Sequence, residues 1–130
     1  MPKGKVKILV VEDEGSLLDL YQAKLIEEAY EVVVARNGRE GMEMAARHVP
    51  NLILLDILMP DVDGYEMLKF LKSEKATKDI PVIIFSNLSQ KEEIEKGLKL
   101  GASDYIIKTS VTPTQLADRV REFLQQQKKK

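Results

Sequence analysis

A chain of 130 residues without cysteine has room for one domain and can bury about two-thirds of its unfolded surface without staples. It also lacks any means of forming a disulfide, a thiolate nucleophile or a Cys-type zinc site. Its 20 Lys and Arg against 21 Asp and Glu give no electrostatic case for nucleic acid or a membrane surface as the main partner, which favours specific protein contacts.

The opening "MPKGKVK" leads into an apolar run of about six residues, too short for a signal-peptide core or a membrane span. The expectation is a soluble, cytoplasmic protein. From there, short β-rich runs alternate with longer segments of helical period. The first strand, Val6 to Val11, precedes the helix "GSLLDLYQAKLIEEA". The second, Glu31 to Ala35, is short and opens with a charge, as an edge strand does. The helix "GREGMEMAARH" follows, with Asn37 and Glu40 spaced to cap its start. Leu52 to Leu55 is the third strand and "YEMLKFLKSE" the third helix. Val82 to Phe85 is the fourth strand, and Ser89 with Glu92 is the expected start of "KEEIEKGLKL", which Gly101 stops after Leu100. Tyr105 to Ile107 is the last strand. Thr112, Pro113 and Gln115 open the helix "PTQLADRVREFLQQQ".

Strands one, three and four are almost wholly apolar, the mark of strands covered on both faces. Fivefold βα alternation therefore predicts a single α/β domain over residues 1–130, built as a doubly wound, five-stranded parallel sheet with five helices on both faces. Its core is expected over residues 5–125, with a polar basic tail at 126–130.

In such a sheet, functional groups collect beyond the carboxyl ends of the strands, where the strand order reverses. Strand one ends at Glu12 and Asp13, strand three at Asp56, strand four at Ser86 and Asn87, and strand five at Lys108. With the flavodoxin-like order 2-1-3-4-5, Glu12, Asp13 and Asp56 meet in one crevice. Like charges at about 4 Å repel by roughly 4 kcal/mol at an effective dielectric near 20, so three carboxylates there take up protons or recruit a cation. Lys108 alone leaves them in excess. An all-oxygen donor set suits Mg²⁺, which keeps room for phosphate oxygens. Ser86 can donate to a phosphoryl group, Lys108 can pair with it, and Asp56 can carry it as an acyl phosphate.

Four segments, "ILVVEDE", "LILLDILMPDVDG", "VIIFSN" and "GASDYIIK", resemble in order and spacing the receiver domain of two-component response regulators, the CheY-like superfamily, over roughly Val6 to Leu124. The resemblance implies that Glu12 and Asp13 are the acidic pair, with Asp13 the main metal ligand. It also implies that Asp56 is the phosphoacceptor and that the Leu58 carbonyl binds metal. Ser86 matches the switch hydroxyl, Lys108 the family lysine, and Tyr105 the aromatic that changes rotamer between states. The implied activity is transfer of phosphate from a histidine kinase or phosphotransfer protein to Asp56 with Mg²⁺, followed by rearrangement of the surface made by helix four, strand five and helix five. No other enzymatic turnover is expected. The implied output is a downstream protein target or an output domain absent from this sequence, through a monomer or a phosphorylation-dependent dimer.

Three positions depart from the family pattern. Thr109 stands where Pro usually follows the lysine, and a trans bond is expected there. Asn87 replaces a small residue. Leu58 and Leu88, at the positions that tune hydrolysis in the family, offer no group to orient water, which predicts a long-lived phosphoryl state. Other features have plainer readings. His48 sits near a helix end; Met42, Met44 and Met67 fill the core; Gly97 weakens its helix by about 1 kcal/mol relative to Ala and leaves it mobile. Rival functions fare worse. "EDEGS" is wrong for the phosphate loop of an FMN carrier, and Leu58 occupies the place of the second Asp that a haloacid dehalogenase phosphatase needs. The standing alternative is a degenerate receiver that acts as a phosphorylation-independent adaptor.

Overall fold

Three strands that are apolar on both sides have to be sandwiched between helices, and they are. The computed structural model describes residues 5–128. Its elements are β1 Lys7–Val11, α1 Gly15–Glu27, β2 Glu31–Ala35, α2 Gly38–His48, β3 Leu52–Leu55, α3 Gly64–Ser73, β4 Val82–Ser86, α4 Lys91–Lys99, β5 Asp104–Ile107 and α5 Pro113–Lys128. The strands form one parallel sheet in the order β2-β1-β3-β4-β5. This is the expected doubly wound architecture, with β2 and its leading charge at an edge. Residues 1–4 of the opening segment and 129–130 of the basic tail lie outside the described residues, and Gln126 to Lys128 continue α5.

The two-residue period of a strand sends alternate side chains to opposite faces. Leu9, Val11, Ile53, Leu55, Val82 and Ile84 pack with Ala45 of α2 and with Met67, Leu68 and Leu71 of α3. Ile8, Val10, Leu52, Leu54, Ile83 and Phe85 pack with Leu18, Tyr21 and Leu25 of α1 and with Leu116 and Val120 of α5. Met42 and Met44 lean on the first cluster, as expected of core filler.

Helix starts follow local chemistry. Asn37 accepts from the Glu40 amide at 2.8 Å, while Glu40 reaches back to the Arg36 amide at 2.7 Å. Thr112 and Gln115 exchange a reciprocal pair of capping bonds at 2.9 and 3.1 Å. Ser89 does not cap α4 as the sequence predicts. That helix starts at Lys91 after an extended Gln90 that makes no side-chain cap, so Ser89 lies one residue too early. Glu92 and Glu93 in the first turn supply the negative charge that the helix N-terminus favours instead. Gly101 ends the same helix at φ 116°, in the left-handed region.

Gly97 has a packing reason that the sequence hides. It is buried, and a Cβ built on it would lie 2.4 Å from Cδ1 of Ile84, inside the core beneath α4.

Candidate functional site

The register of the sheet assembles the site. Val11 pairs with Leu55, so the next residue of each strand, Glu12 and Asp56, emerges side by side beyond the carboxyl edge. Glu12 is held by its own amide on the Ala35 carbonyl at 3.0 Å, and Asp56 by its amide on the Val11 carbonyl at 3.1 Å. Ser86 pairs with Ile107, which places Lys108 one step further along. The Lys108 ammonium donates to Asp56 Oδ2 at 2.9 Å and to Glu12 Oε1. The second oxygens are also engaged. Glu12 Oε2 accepts the Glu14 amide at 3.1 Å, and Asp56 Oδ1 accepts the Leu58 amide at 3.0 Å.

Glu12, Asp13 and Asp56 each offer a carboxylate oxygen within 4.8 Å of the others, with Asp13 exposed at the mouth and the other two buried. The set is all oxygen and carries three formal negative charges against one ammonium. These donors fit a hard divalent cation such as Mg²⁺. Burial raises the Glu12 carboxyl above its ordinary value, against the pull of Lys108 and the Glu14 amide. The same burial acts to lower Lys108, but its bonds to Glu12 and Asp56 outweigh it and hold the ammonium above the usual lysine range. Lys108 is therefore a fixed positive charge with two carboxylates on it.

Comparison with known proteins matches the chain to one family. The profile of the response regulator receiver domain covers residues 8–121. The chain belongs to that family. A receiver domain protein (CheY-like) from Methanospirillum hungatei JF-1 superposes with a TM-score of 0.85 at 33% identity, over 95% of this chain and 96% of that one. The BeF3-activated N-terminal receiver domain of Klebsiella pneumoniae RstA gives 0.81 at 35%, over 88% and 95%. Among curated relatives, a probable transcriptional regulator ycf27 of Porphyridium aerugineum is 38% identical over 92% of this chain and 48% of its own length. Response regulator PleD of Caulobacter vibrioides is 40% identical over 90% and 26%. The chain thus spans about half, or less, of these two relatives. It is a receiver domain of two-component signalling, a family whose members serve generally as phosphoacceptors.

Within this receiver, Ser86 is fully buried, and its Oγ accepts the Leu88 amide at 3.2 Å. The Tyr105 hydroxyl donates to the Leu88 carbonyl at 2.6 Å, so Ser86 and Tyr105 grip the same residue from two sides. Leu58, 51% exposed, faces with Leu88 and Asp13 onto an open groove of about 630 Å³ that also takes in Met59, Pro60 and Tyr65. Asn87 is exposed. The described residues contain no cis peptide bond, so the Lys108–Thr109 bond is trans, as expected, and Lys108–Ser110 forms one turn of 3-10 helix. His48 lies at the last position of α2, away from the acidic cluster. Among the described residues no helix is long and apolar enough to cross a membrane.

Three residues beside the site escape a sequence reading. Asp61 accepts the amides of Gly38 and Arg39 at 2.9 and 3.1 Å, tying the segment after β3 to the start of α2. Glu14, the third acid of "EDEGS", caps α1 through the amides of Ser16 and Leu17. Tyr65 bonds to α4. The only signal for Asp61 was its type, a good capping residue, and its partners lie in a different element.

Proposed function

We propose that this receiver accepts a phosphoryl group on Asp56 from a histidine kinase or a phosphotransfer protein. The observation that carries this reading is the Lys108 ammonium bonded to both Asp56 and Glu12 beside an exposed third carboxylate, Asp13. An oxygen of Asp56 attacks the phosphorus of a phosphohistidine, the P–N bond breaks, and the imidazole leaves with the electron pair and takes up a proton. The product is an acyl phosphate. Asp13, Asp56 and the Leu58 carbonyl, with Glu12 in support, would hold Mg²⁺, which supplies charge neutralisation for the incoming phosphoryl oxygens. Lys108 orients the Asp56 carboxylate and offers its charge to the phosphoryl group. Ser86 can turn its hydroxyl proton toward the same group while keeping the Leu88 amide on its lone pair. Such catalysis is positioning and electrostatics.

The signal then passes through the surface of α4, β5 and α5, with Tyr105 changing rotamer between the two states. It leaves the domain through a downstream protein or through an output domain of the kind that the longer relatives have room for. The competing reading is an adaptor that binds partners without phosphorylation, and it has no support from the paired Asp56 and Lys108.

Intact mass after incubation with acetyl phosphate and Mg²⁺ tests the reading. One added phosphoryl group is expected on the wild type and none on Asp56→Asn; equal labelling of the two removes Asp56 as acceptor. Leu58 and Leu88 flank the groove with no group to activate water, so the adduct is expected to persist for minutes or longer, and decay within seconds would refute that.

A further inference from the structure

Beyond Asp56 the chain runs from Ile57 to Gly64 as a pinched loop. The Gly64 amide donates to the Ile57 carbonyl at 3.2 Å, and a Cβ built on Gly64 would lie 2.2 Å from the Ile57 Cα. Between these ends Leu58, Pro60, Asp61 and Asp63 are exposed, so packing restrains them little. Among the described residues, the bonds from the Gly38 and Arg39 amides to Asp61 are the only hydrogen bonds that join residues 58–63 to an element other than β3 and α3. Val62 reinforces this tether. A Cβ on Gly38 would stand 2.6 Å from Val62 Cβ, so the loop rests on bare backbone at the first turn of α2.

The tether reaches the acceptor. Leu58 donates its amide to Asp56 Oδ1 at 3.0 Å, the oxygen that Lys108 does not hold, and its carbonyl is the one proposed above to bind the cation. Only Met59 and Pro60 separate Leu58 from Asp61. The Pro60 ring fixes its own φ and biases Met59 before it toward extended backbone. The link is short and stiff, so an anchor on Asp61 is an anchor on Leu58.

We propose that Asp61 is a positioning residue for the acceptor site: by clamping the loop after β3 onto the start of α2, it fixes the Leu58 amide on Asp56 and the Leu58 carbonyl at the cation site. This rests on the cation reading of Glu12, Asp13 and Asp56. By reciprocity, a cation that orders Leu58 also steadies the bonds from α2 to Asp61.

The test is calorimetric titration of the full chain with Mg²⁺, together with amide exchange at Gly38 and Arg39 followed by NMR. In the wild type, saturating Mg²⁺ is expected to slow exchange of both amides. Asp61→Ala is expected to lose that slowing and to bind Mg²⁺ about three- to tenfold more weakly, the scale on which a residue acts on a site without touching its ligand. Gly38→Ala weakens binding from the other side of the contact, by pushing Val62 and the loop away with no change of charge. Asp61→Asn removes the same charge as Asp61→Ala but keeps one acceptor oxygen for the amides, and its affinity falls between Asp61→Ala and wild type. Asn37→Ala is the control. It removes the other cap of α2, which accepts the Glu40 amide at 2.8 Å, leaves the loop alone and keeps wild-type affinity. Wild-type affinity in folded Asp61→Ala or Gly38→Ala, an equal loss in Asp61→Asn or Asn37→Ala, or exchange at Gly38 and Arg39 that ignores Mg²⁺ overturns the positioning role and leaves the cation site standing. A wild type that binds no Mg²⁺ overturns the cation reading and the positioning role together.

Discussion

The Asp61 carboxylate lies on the first two amides of α2, and those bonds hold its carboxyl below the ordinary Asp value. The folded chain therefore binds this proton less readily than the unfolded one, so the stabilisation is present above the unfolded value and fades as pH falls through the folded value. Replacing Asp61 by Ala is expected to lower the urea midpoint at neutral pH, with the difference from wild type closing as the pH falls through the acid range below the ordinary Asp value. A difference that stays constant across that range would mean that the carboxylate charge does not matter. The acids of this small region divide their work in a way residue type alone does not announce. Glu12, Asp13 and Asp56 converge on one another, whereas Glu14, Asp61 and Asp63 each satisfy orphan amides at helix starts. Asp13 and Glu14 are neighbours in sequence and differ because the helix begins between Glu14 and Gly15.

Among the elements, α4 departs furthest from its sequence reading. Its glycine looks like a weak point by helix propensity, yet it is where the helix comes closest to the sheet and to two tyrosines. Gly97→Ala is thus a contest between a propensity gain of about 1 kcal/mol and the cost of displacing fully buried Ile84, about 1–3 kcal/mol for overpacking. The core cost should win. Chemical denaturation is expected to show a net loss of stability of about 1 kcal/mol, and a stabilised variant would show that the core beneath α4 yields freely. The capping pairs at α2 and α5 were legible because both partners lie within one turn of the chain. The start of α4 was misplaced because a Ser-x-x-Glu pattern satisfies the same local rule one residue away from where the sheet lets the helix begin.

At the scale of the whole molecule, three carboxylates and one ammonium share a rim of the sheet, and in the absence of a cation their repulsion opposes folding. A ligand that binds only the folded state stabilises by mass action, about 2.7 kcal/mol at a hundred times its dissociation constant. Adding Mg²⁺ is therefore expected to raise the Tm of the wild type by several degrees and EDTA to reverse it, with Asp13→Ala losing most of the response. A Tm indifferent to Mg²⁺ would rule out the cation reading of this cluster.

The alternation of apolar strands with amphipathic helices was enough, by itself, to determine the sheet, its two covered faces and the strand ends on which chemistry-bearing residues fall. Side-chain period and helix capping are local, and local rules can be read along a chain. Only the tertiary structure decided which of those residues meet. The ion pairs that define the site join Lys108 to Glu12 and to Asp56 across 96 and 52 residues of chain, and the Tyr65 bond to Glu93 spans 28. Such contacts depend on strand register and on how closely a helix approaches the sheet, quantities set by the packing of the whole core.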